Sequence, residues 1–176
     1  YHEHKRRPRQ AYSMGLNSMS LSTGYLTSKQ RMIWGLKSKG QQEASIAKEL
    51  KVTRQTVHKA INTANLRISD ALTEAAKLNH IEIQTLNTTK GFLSGYSPHF
   101  KTQAFVTFSS RNGIQVWYKH EGHCQTCQRL QTCRDMLVSE ANARNFLLTE
   151  DVNQITPSKL AEVLFQKILG EKENVA

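Results

Sequence analysis

The segment HEGHCQTCQRLQTCR, residues 120–134, holds all three cysteines of the 176-residue chain and two of its seven histidines. Two residues separate Cys124 from Cys127, and five more precede Cys133. A Cys-x2-Cys turn lets two thiolates face one ion, and a third thiolate with one imidazole completes a tetrahedral zinc site. We therefore predict that His120, Cys124, Cys127 and Cys133 bind zinc.

His120 is the better fourth ligand. The other candidate, His123, is adjacent to Cys124, and neighbouring side chains of an extended chain point in opposite directions. A disulfide framework is not expected, because the cysteine count is odd and the N-terminus lacks the apolar core of a signal peptide. The chain also lacks a P-loop, a dinucleotide-binding glycine motif and a serine nucleophile elbow, so we do not expect an enzyme.

An iron–sulfur cluster is the alternative. The cysteine spacing is similar to that of three cluster ligands in fumarate–nitrate-type oxygen sensors and in WhiB-like regulators. Those families take a fourth cysteine from elsewhere in the chain, and this chain has none. A histidine or an exchangeable ligand would then complete a [4Fe-4S] cluster. Unliganded, redox-active thiols are the third possibility.

The net positive charge is confined to one part of the chain. Residues 1–67 carry 13 lysines and arginines against 3 acidic residues, whereas residues 68–176 carry 11 of each. A basic segment attracts phosphate backbones through counterion release. We expect a nucleic-acid partner for the first part, with a flexible basic arm over 1–20.

Three helices are predicted after the arm. The stretch LTSKQRMIWGLKSKG begins with Thr27 and has Gln30 three residues later, which is a capping box. A second helix covers 42–50, and Thr53 caps a third, RQTVHKAINTANLRISDALTEAAKL. The stretch EASIAKELKVTRQTVHKAI resembles the helix-turn-helix of sigma-factor region 4 and of LuxR-type regulators. Many members of those families have glycine at the turn, where this chain has Lys51.

The resemblance implies that the last of these helices lies in the major groove of double-stranded DNA. Its outward polar residues are the predicted DNA contacts, with the first three nearest the bases: Arg54, Gln55, His58, Thr53, Thr56, Lys59 and Asn62. Arginine pairs with guanine and glutamine or asparagine with adenine, each through two hydrogen bonds. Apolar residues continue from Ile61 to Leu78, and we expect them to pack on the rest of the chain or on a second copy. A homodimer is favoured, because helix-turn-helix dimers bind two-fold sites.

The neutral part predicts a small α+β domain. HIEIQTL alternates like a strand, and TTKGFLSGYSPHFKT, with two glycines and a proline, is expected to form a loop. Two β-rich runs flank SRNG, where Asn112-Gly113 favours a hairpin turn. One helix is expected after Cys133, with Met136 among its inner residues. Another is expected to begin at Pro157 and to end at Gly170.

The fold class is thus α+β: a tri-helical helix-turn-helix followed by a domain with a β-hairpin and a metal site. The division is an arm (1–20), a DNA-binding domain (21–66), a linking or dimerising helix (67–79) and a metal-binding regulatory domain (80–176). More loosely, this order is similar to Tfx-like archaeal regulators. The chain is expected to be a cytoplasmic transcription regulator. The alternative of another class is an RNA-binding or RNA-processing factor that stacks bases on Phe92, Tyr96 and Phe100.

Overall fold

Three helices come first along the chain, four strands follow, and two helices close the order. The computed structural model describes residues 25–120, 122–148 and 151–170, so the predicted basic arm lies outside the described residues. The helices are α1 (Ser28–Ser38), α2 (Glu43–Glu49), α3 (Arg54–Leu78), α4 (Leu130–Ala143) and α5 (Pro157–Leu169). The strands are β1 (Glu82–Asn87), β2 (Phe92–Ser97), β3 (Thr102–Ser109) and β4 (Gly113–Tyr118). The α+β class is confirmed.

Local capping explains where α1, α3 and α5 begin. At α1 the Thr27 hydroxyl accepts from the Gln30 N–H, and the Gln30 side chain accepts from the Thr27 N–H, so the predicted capping box is present. The Thr53 hydroxyl accepts from the Thr56 N–H and caps α3, and the Thr156 hydroxyl accepts from the Lys159 N–H and caps α5. Gly170 ends α5 in the left-handed conformation.

The four strands form one antiparallel sheet in the order β1-β2-β3-β4. The predicted hairpin joins β3 to β4, and Gly113 has the positive φ, +68°, that the turn requires. The prediction of a loop over 88–102 was wrong, because β2 occupies its centre and pairs with both β1 and β3.

Helices cover both faces of the sheet. Leu93, Val106 and Phe108 pack with the later turns of α3, while Phe92 and Phe105 pack with α4 and α5. Alternate residues of β3 therefore serve two cores, which is why its apolar residues run almost without a break. The apolar seam of α3 lies against the sheet of its own chain. Of the two expected arrangements, the seam therefore packs on the rest of the chain and not on a second copy.

A buried ion pair fixes α4 to two turns of the sheet. Glu140, with no exposed surface, accepts hydrogen bonds from the Ser109 hydroxyl (3.0 Å) and the Asn112 amide (2.8 Å). It also pairs with Arg144 at 2.9 Å. Arg144 in turn donates to the carbonyls of Lys90, Gly91 and Phe108. Desolvation lowers the pKa of Arg144, and the Glu140 carboxylate opposes that shift.

Two details of α4 differ from expectation. The helix begins at Leu130, so Cys133 lies in its first turns rather than before it. Met136, predicted to face inward, is 41% exposed, because Leu137, Ala141 and Ala143 supply the buried side. No helix among the described residues has the length and apolar character needed to cross a bilayer.

Candidate nucleic-acid interface and cysteine cluster

The turn between α2 and α3 is short and closed by backbone hydrogen bonds. The Leu50 N–H donates to the Ile46 carbonyl (2.9 Å) and the Val52 N–H to the Ala47 carbonyl (3.0 Å). Lys51, at the position where the resemblance to helix-turn-helix sequences leads one to expect glycine, adopts the left-handed conformation, φ +52°. That conformation costs a non-glycine residue about 1–2 kcal/mol, so packing around the turn must offset it.

A small apolar core fixes the angle between the two helices. Ile46 and Ala47 of α2 are buried against Val57 and Ile61 of α3, and Ile33 of α1 completes the cluster. Leu36, Leu50, Val52 and Ala60 border it. Ala47 carries only a methyl group, so the helices approach closely at this point. The start of α3 is therefore held rigidly, with its opposite face in solvent.

The structure brings the predicted base-reading side chains together on that solvent face. Arg54 (77% exposed) and His58 (59% exposed) lie one turn apart, and Asn62 Nδ2 lies 3.1 Å from His58 Nε2. Gln55 and Lys59 are also exposed. The first turn of α3 holds no acidic residue, so no side chain of that turn compensates the partial positive charge of the helix N-terminus.

The two threonines predicted as phosphate contacts also build the helix start. Thr53 Oγ1 accepts from the Thr56 N–H at 3.1 Å, and the two hydroxyls lie 2.8 Å apart. Thr53 is exposed and Thr56 half-buried. Capping and phosphate contact are compatible for Thr53, because a hydroxyl oxygen accepts from one partner while its proton donates to another.

Glu43 is a member of this face that the sequence analysis missed. Its carboxylate, in the first turn of α2, lies 3.4 Å from His58 Nδ1 and 3.9 Å from Arg54 Nε. Glu43 is mostly buried, whereas both partners are exposed. Such a carboxylate restricts the rotamers of Arg54 and His58 before any ligand arrives. The only signal in the sequence was an acid at the start of α2.

The cysteines lie on two consecutive turns near the start of α4. A 3-10 turn covers Cys124–Thr126, and the Cys127 N–H donates to the Cys124 carbonyl at 3.1 Å. The Arg129 N–H donates to Cys127 Sγ at 3.4 Å. Backbone N–H donation to a cysteine sulfur is an outer-shell contact that stabilises a thiolate ligand. Cys127 and Cys133 are exposed and Cys124 is half-buried.

Cys124 has a second environment, at the start of α5. Its sulfur lies 3.5 Å from the Ser158 hydroxyl oxygen. Hydrogen bonds from the Ser158 side chain and backbone lower the pKa of the Cys124 thiol, and partial burial opposes them. The His120 ring lies against Gly122, where a β-carbon would overlap it. This places the ring on the backbone that leads into the cysteine turns.

The geometry does not bring the four predicted ligands together. Within residues 25–120, 122–148 and 151–170, no three or more His, Cys, Asp or Glu side chains are arranged to hold a metal ion. The donor set itself, three thiols and an imidazole, has the chemistry that zinc prefers. The assignment of His120, Cys124, Cys127 and Cys133 therefore stays a prediction.

The aromatic residues considered for base stacking are divided by the fold. Phe92 is buried beneath α5, where it packs with Phe105 and Phe165. Tyr96 is 36% exposed and Phe100 58% exposed, and Phe100 contacts the Tyr118 ring edge-on at 4.7 Å.

Comparisons of the chain with protein-family models, curated proteins and solved structures found no match.

Proposed function

We propose that this chain is a sequence-specific DNA-binding transcription regulator, without enzymatic activity, whose α2–turn–α3 unit acts as a helix-turn-helix. The observation that carries the proposal is the rigidly packed start of α3 with Arg54, His58 and Asn62 on its free face. The resemblance to sigma region 4 and LuxR-type sequences adds to it. The Tfx-like order of domains is an analogy of fold alone.

In the proposed complex the first turns of α3 enter the major groove of duplex DNA. Arg54 donates two hydrogen bonds to a guanine, and Gln55 or Asn62 pairs with an adenine. Lys59 and the Thr53 hydroxyl contact phosphates, which positions the helix but carries no sequence information. Glu43 holds Arg54 and His58 near their bound directions and so reduces the entropy lost on binding.

The cysteine turns form the second part of the proposal. His120, Cys124, Cys127 and Cys133 would hold one zinc ion, which would tie the start of α4 to the end of β4. A zinc ion in such a closed site stabilises structure and needs no catalytic role. The alternative is a [4Fe-4S] cluster on the same residues, which would make DNA binding responsive to oxygen or redox state. Metal and acid-labile sulfide content of protein purified without oxygen distinguishes them.

We also propose that the regulator works as a homodimer. The seam of α3 is covered by the sheet, so a dimer has to use another surface. A second copy would double the phosphate contacts and match a two-fold DNA site. Sedimentation velocity with and without DNA measures the stoichiometry directly, and a single chain per two-fold site would exclude the dimer.

Selection from a randomised duplex library tests DNA recognition. The full chain should enrich a defined motif and prefer it to single-stranded RNA in competition. Arg54→Ala should lower discrimination at one base position by about 5- to 150-fold, the loss of one bidentate contact. Lys59→Ala, on the same helix, is the matched control and should weaken all duplexes equally. Unchanged preference in Arg54→Ala would refute the groove assignment.

A preference for RNA would instead favour the second class of function, in which Tyr96 and Phe100 stack on bases. Only these two of the three aromatic residues are exposed enough for it. Phe100→Ala would then weaken RNA binding, whereas Phe92→Ala would act through loss of the core.

A further inference from the structure

An open groove lies between the start of α1 and the turn that joins β3 to β4. Its volume is about 750 Å³. Its lining residues come from three segments that are distant in sequence: Ser28, Lys29, Arg31 and Met32 of α1, Leu50 after α2, and Ser110 and Arg111 of the hairpin turn. The hairpin of the neutral half thus contributes a cation to a surface of the basic half.

The groove carries three cations and no acid among its described lining residues. Lys29 and Arg111 are exposed and Arg31 is half-buried. None of the three side chains makes an ion pair within the described part of the chain, although four other pairs are formed there. The first turn of α1 also lacks an acidic residue, so its N-terminal partial charge adds to the positive potential.

The hairpin turn is fixed rather than loose. Glu140 accepts hydrogen bonds from Ser109 and Asn112 on either side of Arg111, and the Ser139 hydroxyl donates to Asn112 Oδ1 at 2.9 Å. Ser110 packs directly on α1 at Gly35, where a β-carbon would lie 2.8 Å from the Ser110 hydroxyl oxygen. The backbone that carries Arg111 is therefore held beside α1 before any ligand binds.

The groove adjoins the helix-turn-helix at its turn. Leu50, one of its walls, lies four residues before Arg54, the first predicted base-reading residue. A duplex that receives the start of α3 in its major groove passes its flanking phosphates close to this turn. We infer that the groove of Lys29, Arg31 and Arg111 binds the phosphate backbone of the same duplex, so that the β3–β4 hairpin is part of the DNA interface.

This inference rests on the proposed function, because it needs DNA at α3. The two apolar lining residues, Met32 and Leu50, give little area for a hydrophobic partner, whereas three cations without an ion-pair partner among the described residues match a polyanion. The groove would read no bases, so its contribution to affinity should be the same for every duplex.

The salt dependence of binding tests the inference. The duplexes are one selected with the wild-type chain and a scrambled version of it. Arg111→Ala should reduce the slope of log Kobs against log salt by about 0.9 on both, and weaken binding about eightfold at about 0.1 M salt. Lys29→Ala with Arg111→Ala should reduce the slope by about 1.8. Thermal unfolding of each variant verifies that it remains folded.

Lys101→Ala is the matched control. Lys101 is exposed and lies at the other end of β3, about 25 Å away along the eight-residue strand. The slope of log Kobs against log salt for Lys101→Ala should equal that of the wild type. An equal loss in Lys101→Ala and Arg111→Ala would overturn the inference, since net charge alone would explain it.

The remaining outcomes separate the two proposals. A wild-type chain that binds no duplex, or that prefers single-stranded RNA, refutes the proposed function and the inference with it. A wild-type chain that binds its selected duplex, with the slope unchanged in Arg111→Ala, refutes the inference alone. A change of sequence preference in Arg111→Ala also refutes it, because Arg111 would then contact bases rather than phosphates.

Discussion

The helix-turn-helix region and the cysteine turns both present polar side chains to solvent, but they are supported in different ways. Beneath Arg54 and His58 lies a core that includes Ile46, Val57 and Ile61. Beneath the cysteines there is no comparable layer: Cys127 and Cys133 are exposed, and no cysteine belongs to any of the three apolar cores of the described residues.

The two regions differ in what keeps their side chains ordered. The side chains proposed to contact DNA stand on a scaffold that buried apolar area stabilises without any ligand. The cysteine turns rely on backbone turns and a few surface hydrogen bonds, so a bound ion would contribute most of their rigidity. Four changes test this contrast, from the largest expected effect to the smallest.

The largest effect should come from Glu140, which anchors the end of α4 opposite to Cys133. Glu140→Ala leaves Arg144 as a buried cation without its carboxylate partner. We expect the free energy of unfolding to fall by about 3–5 kcal/mol, measured by urea denaturation of metal-free protein. The order of α4 would then depend on this buried pair rather than on a metal.

Glu162→Ala on α5 is the matched control for that change. Glu162 forms a surface pair with Lys159 at 3.0 Å, and exposed pairs contribute little to stability. If Glu140→Ala were as mild as Glu162→Ala, α4 would not be held by its buried end.

The second change removes part of the core beneath the side chains proposed to contact DNA. Ile46 has no exposed surface, so Ile46→Ala should cost about 3 kcal/mol and also weaken DNA binding. Leu66→Ala is the control, because this leucine on α3 is 70% exposed. Its change should stay within about 0.5 kcal/mol by urea denaturation. Equal losses would mean that Ile46 does not support the turn.

Much of this first region was predictable because its signals are local. Thr27 with Gln30, and Thr53 at the start of α3, satisfy helix N–H groups within three residues, and periodic apolar positions mark the inner faces. β2 was missed because Gly91, just before it, and Gly95, within it, resemble the glycines of a loop. Gly95 lies in a strand for a long-range reason: a β-carbon there would meet the Glu82 carbonyl of β1.

Single residues of the site were predictable from the sequence, but the contacts between them were not. The sequence singled out Arg54 and His58, but not the Glu43 carboxylate that lies within 4 Å of both. Likewise, nothing local indicates that Arg111 shares a groove with Lys29, because the pair is 82 residues apart and is joined by packing of the hairpin on α1. Contacts of this kind depend on tertiary packing, which periodicity does not encode.

Zinc should act on the cysteine turns alone. Free zinc at about 100 times its Kd should stabilise the cysteine turns of the wild type against local opening by about 2.7 kcal/mol, and hydrogen-exchange protection should rise around 120–133. Cys127→Ser should abolish both effects yet leave the metal-free protein as stable as the wild type, because this side chain is exposed. Protection that rises equally in α2 would show that the metal also stabilises the first region.

The smallest effect concerns the Cys124 thiol in metal-free protein. Hydrogen bonds from Ser158 lower its pKa, so its alkylation by iodoacetamide should reach half-maximum at a lower pH than in Ser158→Ala. The pH midpoint is the measured quantity, because a lower pKa also reduces the intrinsic nucleophilicity of the thiolate. Mass spectrometry of the modified peptide gives the profile for Cys124 separately from Cys127.

The sign of the accompanying stability effect follows from linkage. A thiol whose pKa is lower in the folded state stabilises the fold above its unfolded pKa, and that contribution is lost as the pH falls through the folded pKa. Zinc should protect Cys124 from alkylation at every pH at which it stays bound, because a ligated thiolate is not free to react. If the midpoint were the same in wild type and Ser158→Ala, contact with α5 would not organise the turn. The cysteine segment would then depend even more completely on an ion.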